Sequence, residues 1–264
     1  MAHNQLTQAP GVPFRAQDYV HDKKYHLLLA ASGSVATIKL PDIISALACH
    51  YSFENQRASL SIRIVLSSSA TVFLGGQSDE QPDLTSLAQM PCVDGIYRDN
   101  DEWERPWIRG ASILHIELRR WADLMAIAPL SANTMAKMVG GICDSLLLAI
   151  LRAWDITGTS DSAKSDPAKG EGVGKLKSAV YEDETNIENR GKKIIIVAPA
   201  MNTAMWRHPI TRQHLRTLEE DWGADNGGWI RVLRPIEKEL ACGDVGDGAM
   251  HDWQDIVKVI INEF

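Results

Sequence analysis

Short apolar runs alternate with amphipathic segments along most of this chain, and this alternation restricts the fold more than any other feature. Four runs of five to seven residues have the composition of buried strands: Tyr25–Ala31, Leu60–Leu66, Leu124–Ala128 and Lys193–Ala198. Strands that are apolar on both faces indicate a parallel sheet covered by helices on both sides. We therefore predict a single α/β domain with a doubly wound parallel sheet in a three-layer α/β/α sandwich.

The segments between these runs complete the expected order of elements. Weaker strands are predicted at Val93–Tyr97 and Trp229–Leu233, Pro129 is expected to end the third strong run, and 75–91 is expected to be a loop. Helices are predicted around Ile43–Ala48, where Pro41 is expected to break or restart the helix, and at Ile113–Trp121, 144–154, Thr203–Trp206, Thr211–Trp222 and Trp253–Ile261.

Two segments differ in composition from the rest of the chain. Residues 1–22 are polar and aperiodic, and we predict a disordered N-terminal arm there. Residues 156–191 are rich in Gly, Ser and charged residues, which indicates a flexible insertion because few apolar side chains offset the entropy of ordering. The predicted domain therefore covers 23–264 and contains this insertion.

Charge and composition exclude several classes of protein. The formal net charge is −7, whereas general binding to nucleic acid requires clustered positive charge. No apolar run approaches the roughly 20 residues of a membrane helix, and no export signal is visible, so we expect a cytoplasmic protein with reduced cysteines. The histidine and cysteine spacings match no metal-binding motif, and we predict no metal.

Three hydroxyl-bearing turns follow predicted strands: Gly33-Ser34-Val35, Ser67–Thr71 and Ser131–Thr134. Ligands of doubly wound sheets bind where the strands end, and turn N–H groups with hydroxyls suit a phosphate. Each turn alone has the ordinary alternative of a strand–helix connection, and no GxGxxG motif supports a dinucleotide. Ser131 is also expected to cap the helix that follows it, because a hydroxyl there satisfies a free backbone N–H. Three such turns together favour one phosphorylated ligand.

Five ordered motifs carry a resemblance to a known family. They are ASGSVA at 31–36, HIELRRWAD at 115–123, APLSANT at 128–134, PAMNTAMW at 199–206 and ACGDVGDGAM at 241–250. From about Tyr25 to Met250, leaving out 156–191, the chain resembles phosphopantothenoylcysteine decarboxylases, members of the homo-oligomeric flavin-containing cysteine decarboxylases. The resemblance implies a flavodoxin-like (Rossmann-like) fold, FMN, and a homotrimer with active sites between subunits.

The resemblance also implies which residues hold the cofactor. The FMN phosphate would lie on Gly33, Ser34 and Val35. The other cofactor-binding residues would be Ser69, Ala70, Thr71, Ser131, Ala132, Asn133, Thr134 and Ala200. The sequence of the second turn differs from the Thr-x-Ser-Ser pattern that is usual in the family.

The resemblance implies catalytic roles for His115 and Cys242, and it implies that Asn202 holds the substrate carboxylate. Each has a plainer alternative: a capping or core histidine, an asparagine closing a turn, and a small residue in a Gly-rich loop. The remaining substrate-binding residues would be Met205, for which a core position is the alternative, with Ala241, Gly243, Asp244 and Met250.

The implied function is a lyase of coenzyme A biosynthesis, which decarboxylates 4′-phospho-N-pantothenoylcysteine to 4′-phosphopantetheine with FMN. The alternative is a halotolerance-type inhibitory subunit, as in fungi, that binds a type 1-like Ser/Thr protein phosphatase, either alone or as a second activity. His115, Asn202 and Cys242 in one chain favour a homotrimer over a mixed trimer. Peptidyl-cysteine decarboxylases would lack the 241–250 motif, and flavin prenyltransferases would lack PAMN.

Overall fold

The computed structural model describes residues 14–53, 59–104, 106–158, 192–239 and 245–264. The strands are β1 (Lys24–Ala31), β2 (Ser59–Leu66), β3 (Val93–Arg98), β4 (Leu124–Leu130), β5 (Ile195–Pro199), β6 (Ile230–Val232), β7 (Ile236–Glu239) and β8 (Val245–Ala249). The helices are α1 (Leu40–Phe53), α2 (Ser68–Thr71), α3 (Leu84–Ala88), α4 (Asp99–Glu102), α5 (Leu114–Trp121), α6 (Ala132–Val139), α7 (Leu146–Arg152), α8 (Thr203–Arg207), α9 (Pro209–Arg216) and α10 (Trp253–Glu263).

The main sheet contains six of these strands, all parallel, in the order β3-β2-β1-β4-β5-β6. Strand β1 lies at the centre, where Leu28 is paired with Arg63 of β2 on one side and Met125 of β4 on the other. The strand order reverses direction between β1 and β4, which creates the crevice where doubly wound proteins bind ligands. The predicted fold class is confirmed.

Alternation along the buried strands supplies two cores, one on each face of the sheet. Leu27, Leu29 and Ala31 of β1 face the core that includes α1 and α10, while Leu28 and Ala30 face the core that includes α5, α6, α7 and α9. This arrangement explains why the strands read as continuous apolar runs: both faces are covered.

Two local predictions need correction. The expected loop at 75–91 contains α3, whose first turn is capped by the Asp83 carboxylate accepting from the Ser86 N–H at 2.7 Å. Pro129 does not end its strand, because β4 continues to Leu130.

The prediction for Pro41 is confirmed as a restart of the helix. A 3₁₀ turn covers 35–39, and α1 then begins at Leu40. Pro41 lies in the first turn of α1, where its missing N–H removes no helical hydrogen bond.

The predicted disordered arm is also corrected where the structure describes it. Residues 16–19 form a 3₁₀ turn, and the backbone N–H of Ala16 donates to Glu117 at 2.8 Å. Phe14 is buried and lies 4.2 Å from the buried guanidinium of Arg63, with Tyr19 on the same group at 4.9 Å. Cation–π contacts stabilise a guanidinium that is buried away from water. The segment that carries Phe14 and Tyr19 therefore packs over Arg63. Residues 1–13 lie outside the described ranges.

Two predicted segments remain, the insertion at 156–191 and the Gly-rich motif at 241–250. Of the predicted insertion at 156–191 the structure describes only 156–158. The Gly-rich motif at 241–250, expected to be loop, contributes β8, which pairs antiparallel with β7 to form a hairpin. In the described part of the chain, no helix is long and apolar enough to cross a membrane.

Candidate functional site

Ser32 joins the ends of β1 and β4 at the crevice. Its hydroxyl donates to the Pro129 carbonyl at 3.2 Å and accepts from the Ser131 N–H at 2.7 Å. Ser32 is fully buried, so both of its contacts are shielded from water. This link fixes the distance between the first and third polar turns.

The first and second polar turns are in direct contact. A Cβ atom at Gly33 would lie 2.3 Å from the Ser69 hydroxyl oxygen, which only a glycine avoids. The Ser34 hydroxyl accepts from the Ala36 N–H at 3.4 Å. Within the described residues, the N–H groups of Gly33, Ser34 and Val35 donate to no protein acceptor. The turn therefore presents unpaired N–H groups, as an anion-binding loop does.

The third turn caps α6. The Ser131 hydroxyl accepts from the Thr134 N–H at 3.3 Å and donates to the Thr134 hydroxyl at 3.1 Å, as predicted for a capping serine. In the described part of the chain, the first N–H groups of α6, those of Ala132 and Asn133, have no acceptor and lie at the positive end of the helix. The N–H of Ala200, which follows β5, donates to Leu130 at 3.0 Å, so this buried residue lies beside the same strand end.

His115 lies elsewhere, in a cleft of about 490 Å³. It occupies the first turn of α5, and its Nδ1 contacts the Glu102 carboxylate. The His115 side chain is 21% exposed, whereas that of Glu102 is 5% exposed. The lining also includes Asp99, Trp103, Cys143, Asp144, Ser145, Leu146, Ala149, Arg152 and Ala153. Asn202 is absent from the lining among the described residues.

Asn202 is the N-cap of α8. Its Oδ1 accepts from the Ala204 N–H at 2.8 Å, and the residue is exposed. Within the described residues, its Nδ2 has no acceptor, so the amide is oriented with two N–H donors free. Met205, which follows on the same helix, is 49% exposed, and the alternative core position for it is wrong.

The β7–β8 hairpin packs on the turn that carries Asn202. The Met201 N–H donates to the Gly248 carbonyl at 2.9 Å, and a Cβ atom at Gly248 would lie 2.2 Å from the Met201 carbonyl oxygen. The hydrogen bond from Arg207 to Asp247 holds the pKa of that carboxyl below its ordinary value. These contacts fix the base of the hairpin against α8.

Of the predicted site residues at this hairpin, four lie outside the described residues and one is buried in the core. Ala241, Cys242, Gly243 and Asp244, between its strands, lie outside the described residues. Met250 is buried in the core with Ala200 and Ile256, so its side chain packs inside the domain and does not line an open surface.

The structure therefore brings the three polar turns together at one crevice, and it places His115 in a cleft whose described lining contains no residue of the three turns. Glu102 is a site residue that sequence reasoning missed. The acidic run at 99–102 was visible, but nothing in its spacing indicated that it meets a histidine 13 residues later.

Comparison of the sequence with models of known protein families shows which family this chain belongs to. Residues 15–264 match the family model described as Flavoprotein. The chain belongs to the Flavoprotein family. A phosphopantothenoylcysteine decarboxylase of Arabidopsis thaliana is 40% identical over 229 residues, which cover 86% of this chain and 79% of that relative.

Two fungal relatives are much longer than this chain. A probable thymidylate synthase of Schizosaccharomyces pombe is 38% identical over 89% of this chain and 29% of its own length. Coenzyme A biosynthesis protein 3 of Saccharomyces cerevisiae is 35% identical over 96% of this chain and 37% of its own length. The chain thus spans about a third of each of these relatives.

Two solved structures are similar over nearly the whole domain. A cysteine-to-serine mutant of PPC decarboxylase complexed with pantothenoylaminoethenethiol has a TM-score of 0.61 and 36% identity, covering 90% of this chain and 97% of that one. The FMN-binding protein AtHal3 has a TM-score of 0.58 and 37% identity, covering 90% and 96%.

Proposed function

We propose that this flavoprotein binds FMN and decarboxylates 4′-phospho-N-pantothenoylcysteine to 4′-phosphopantetheine. One structural observation carries the proposal: the three hydroxyl-bearing turns meet at the β1–β4 crevice, and the N–H groups of the first have no acceptor among the described residues. The names of the similar proteins supply the substrate, since relatives are named phosphopantothenoylcysteine decarboxylase and a similar structure is an FMN-binding protein.

The residues present fit a flavin monophosphate. Gly33, Ser34 and Val35 offer N–H donors for the phosphate, and the close approach of Gly33 to Ser69 leaves no room for a side chain in this cradle. The N-terminus of α6 adds further donors. The remaining proposed contacts come from Ala70, Thr71, Ser131, Ala132, Asn133, Thr134 and Ala200. The chemistry that bound FMN supplies is reversible two-electron oxidation of the substrate's thiol-bearing carbon, which provides an electron sink for loss of CO₂.

The protein's own groups then bind the substrate and move its protons. The free Nδ2 of Asn202 donates to the carboxylate that leaves as CO₂. His115 serves as the base in the oxidation and decarboxylation half, because an imidazole exchanges protons near neutral pH. Cys242 delivers a proton to the enethiol that remains. A similar structure with a cysteine-to-serine change holds an enethiol compound, which supports this last role.

We further propose that the site is completed between subunits of a homotrimer. His115 lines a cleft to which Asn202 does not contribute among the described residues. Large apolar side chains are exposed beside both half-sites: Trp103 lines the His115 cleft, and Met205 lies on the helix that begins after Asn202. A subunit interface at these positions would remove them from water.

The experiment is a spectrum and an assay on one preparation. The purified wild-type protein should show flavin absorption bands and convert the substrate to 4′-phosphopantetheine with release of one CO₂. The Ser34→Asp variant sets a carboxylate against the phosphate and should be folded but flavin-poor. A colourless wild-type protein, or full FMN occupancy in Ser34→Asp, would contradict the proposed phosphate site.

Binding of a Ser/Thr protein phosphatase, the alternative given above, stays a prediction. None of the described contacts bears on it.

A further inference from the structure

Glu102 contacts His115 twice. The carboxylate oxygen Oε1 meets the imidazole Nδ1 and also lies 3.4 Å from the backbone N–H of His115. The Glu102 side chain is 5% exposed, so this carboxylate is almost withdrawn from water. Burial of a carboxylate is costly unless its oxygens are hydrogen-bonded, and here the partner is the proposed base.

The short helix that carries Glu102 is held at its other end. Asp99 Oδ1 accepts from the Leu146 N–H at 3.0 Å, which caps the first turn of α7, and Asp99 Oδ2 accepts from the Ser68 hydroxyl at 2.8 Å. Helix α4 is thereby tied to α7 and to the second polar turn. These two hydrogen bonds hold α4 in place, and α4 in turn holds the Glu102 carboxylate against His115.

A carboxylate at Nδ1 determines where the imidazole carries its proton. A carboxylate accepts but does not donate, so the neutral ring keeps its proton on Nδ1 and leaves the Nε2 lone pair free. Within the described residues, Nε2 has no hydrogen-bond partner. The arrangement is the one in which a histidine accepts a proton through Nε2.

We infer that Glu102 is a positioning residue that fixes the Nδ1–H tautomer and the ring orientation of His115. The inference rests on the proposed function of His115 as base, and it adds a residue that the five motifs do not contain. Glu102 acts through His115 and does not itself touch the substrate.

The first test reads the tautomer without any turnover. Nitrogen-15 NMR of histidine side chains at about pH 8.5, where an ordinary imidazole is neutral, distinguishes Nδ1–H from Nε2–H rings. The His115→Asn variant identifies the His115 signals by their loss. The wild type should show Nδ1–H, and Glu102→Ala should shift the ring towards Nε2–H.

The second test is kinetic and uses a matched control. Glu102→Ala should lower kcat about 10- to 100-fold, the range found when a group that orients a metal-bound histidine is removed, with KM and FMN content unchanged. Glu102→Gln retains an acceptor carbonyl and should recover part of the loss. The exposed Glu104, two residues away, is the control, and Glu104→Gln should match the wild type.

The outcomes separate the two claims. An Nε2–H ring in the wild type, or wild-type kcat in Glu102→Ala, would overturn the role of Glu102 and leave the proposed function standing. A wild-type protein with no decarboxylase activity would overturn the proposed function, and the NMR measurement would still decide the tautomer. Should Glu102→Ala not fold, Glu102→Met takes its place, because it fills similar space without an oxygen acceptor. An unchanged tautomer and unchanged kcat in that variant would overturn the inference.

Discussion

The two halves of the proposed catalytic set are built in different ways. His115 lies in a cleft between α4, α5 and α7, and its ring is held by the buried carboxylate of Glu102. Asn202 lies at an exposed helix start, and among the described residues its side chain is engaged through Oδ1 alone. The β7–β8 hairpin packs beside it through glycines. One half is held by side chains, the other by backbone contacts.

This difference indicates a division of roles. A group that transfers a proton needs a fixed ring orientation and tautomer, which a buried carboxylate supplies. A group that holds a carboxylate needs free donors at an accessible surface, which the exposed Asn202 supplies. The chain carries both proposed half-sites, and among the described residues the lining of the His115 cleft does not include Asn202.

The largest effect should separate the two proton-transfer residues. His115→Asn should abolish CO₂ release, whereas Cys242→Ser should release CO₂ in a first turnover yet block formation of phosphopantetheine. Loss of a positioned proton donor lowers the rate about 10²- to 10⁴-fold. A single-turnover assay that follows CO₂, flavin colour and product distinguishes them. Formation of product at the wild-type rate by Cys242→Ser would show that this thiol is not the acid.

A smaller effect should test the backbone contacts of the Asn202 half. Gly248→Ala places a methyl group against the Met201 carbonyl, and overpacking of this kind costs about 1–3 kcal/mol in unfolding free energy. Gly75→Ala is the control, because a Cβ there has no neighbour nearer than 3.5 Å. Urea unfolding should show a loss in the first variant and a change within about 0.5 kcal/mol in the second. Equal unfolding free energies would mean that the hairpin is not packed as described.

The smallest effect concerns the ion pair at the base of the hairpin. Arg207 lowers the pKa of Asp247, so the pair stabilises the folded state above the ordinary Asp pKa of about 4 and is lost as the pH falls further. Asp247→Asn should therefore unfold at a slightly lower temperature than the wild type at neutral pH. The difference should shrink as the pH falls below the ordinary Asp pKa and also in high salt. A difference that persists at low pH would rule out this ion pair as its source.

Sequence reasoning predicted what is determined locally. The apolar runs gave the buried strands because both faces of the sheet are covered, and Ser131 was recognisable as a cap because capping depends on the next three residues. Sequence reasoning failed where contacts between residues far apart in the chain determine the structure. Phe14 is ordered by Arg63, and Glu102 acquires its role only when α4 meets α5. The glycines of the 241–250 motif indicated a flexible loop. In the structure, Gly248 instead allows close backbone contact with Met201.

The central claim is that the two half-sites meet between subunits, and mixing two inactive proteins tests it most directly. His115→Ala and Asn202→Ala are each expected to be inactive. In a cyclic assembly exchanged at equal amounts, about a quarter of the interfaces would join an intact His115 to an intact Asn202. The account predicts recovery of about that fraction of wild-type decarboxylase activity. No recovery, with subunit exchange demonstrated, would contradict it and place both residues in one subunit's site.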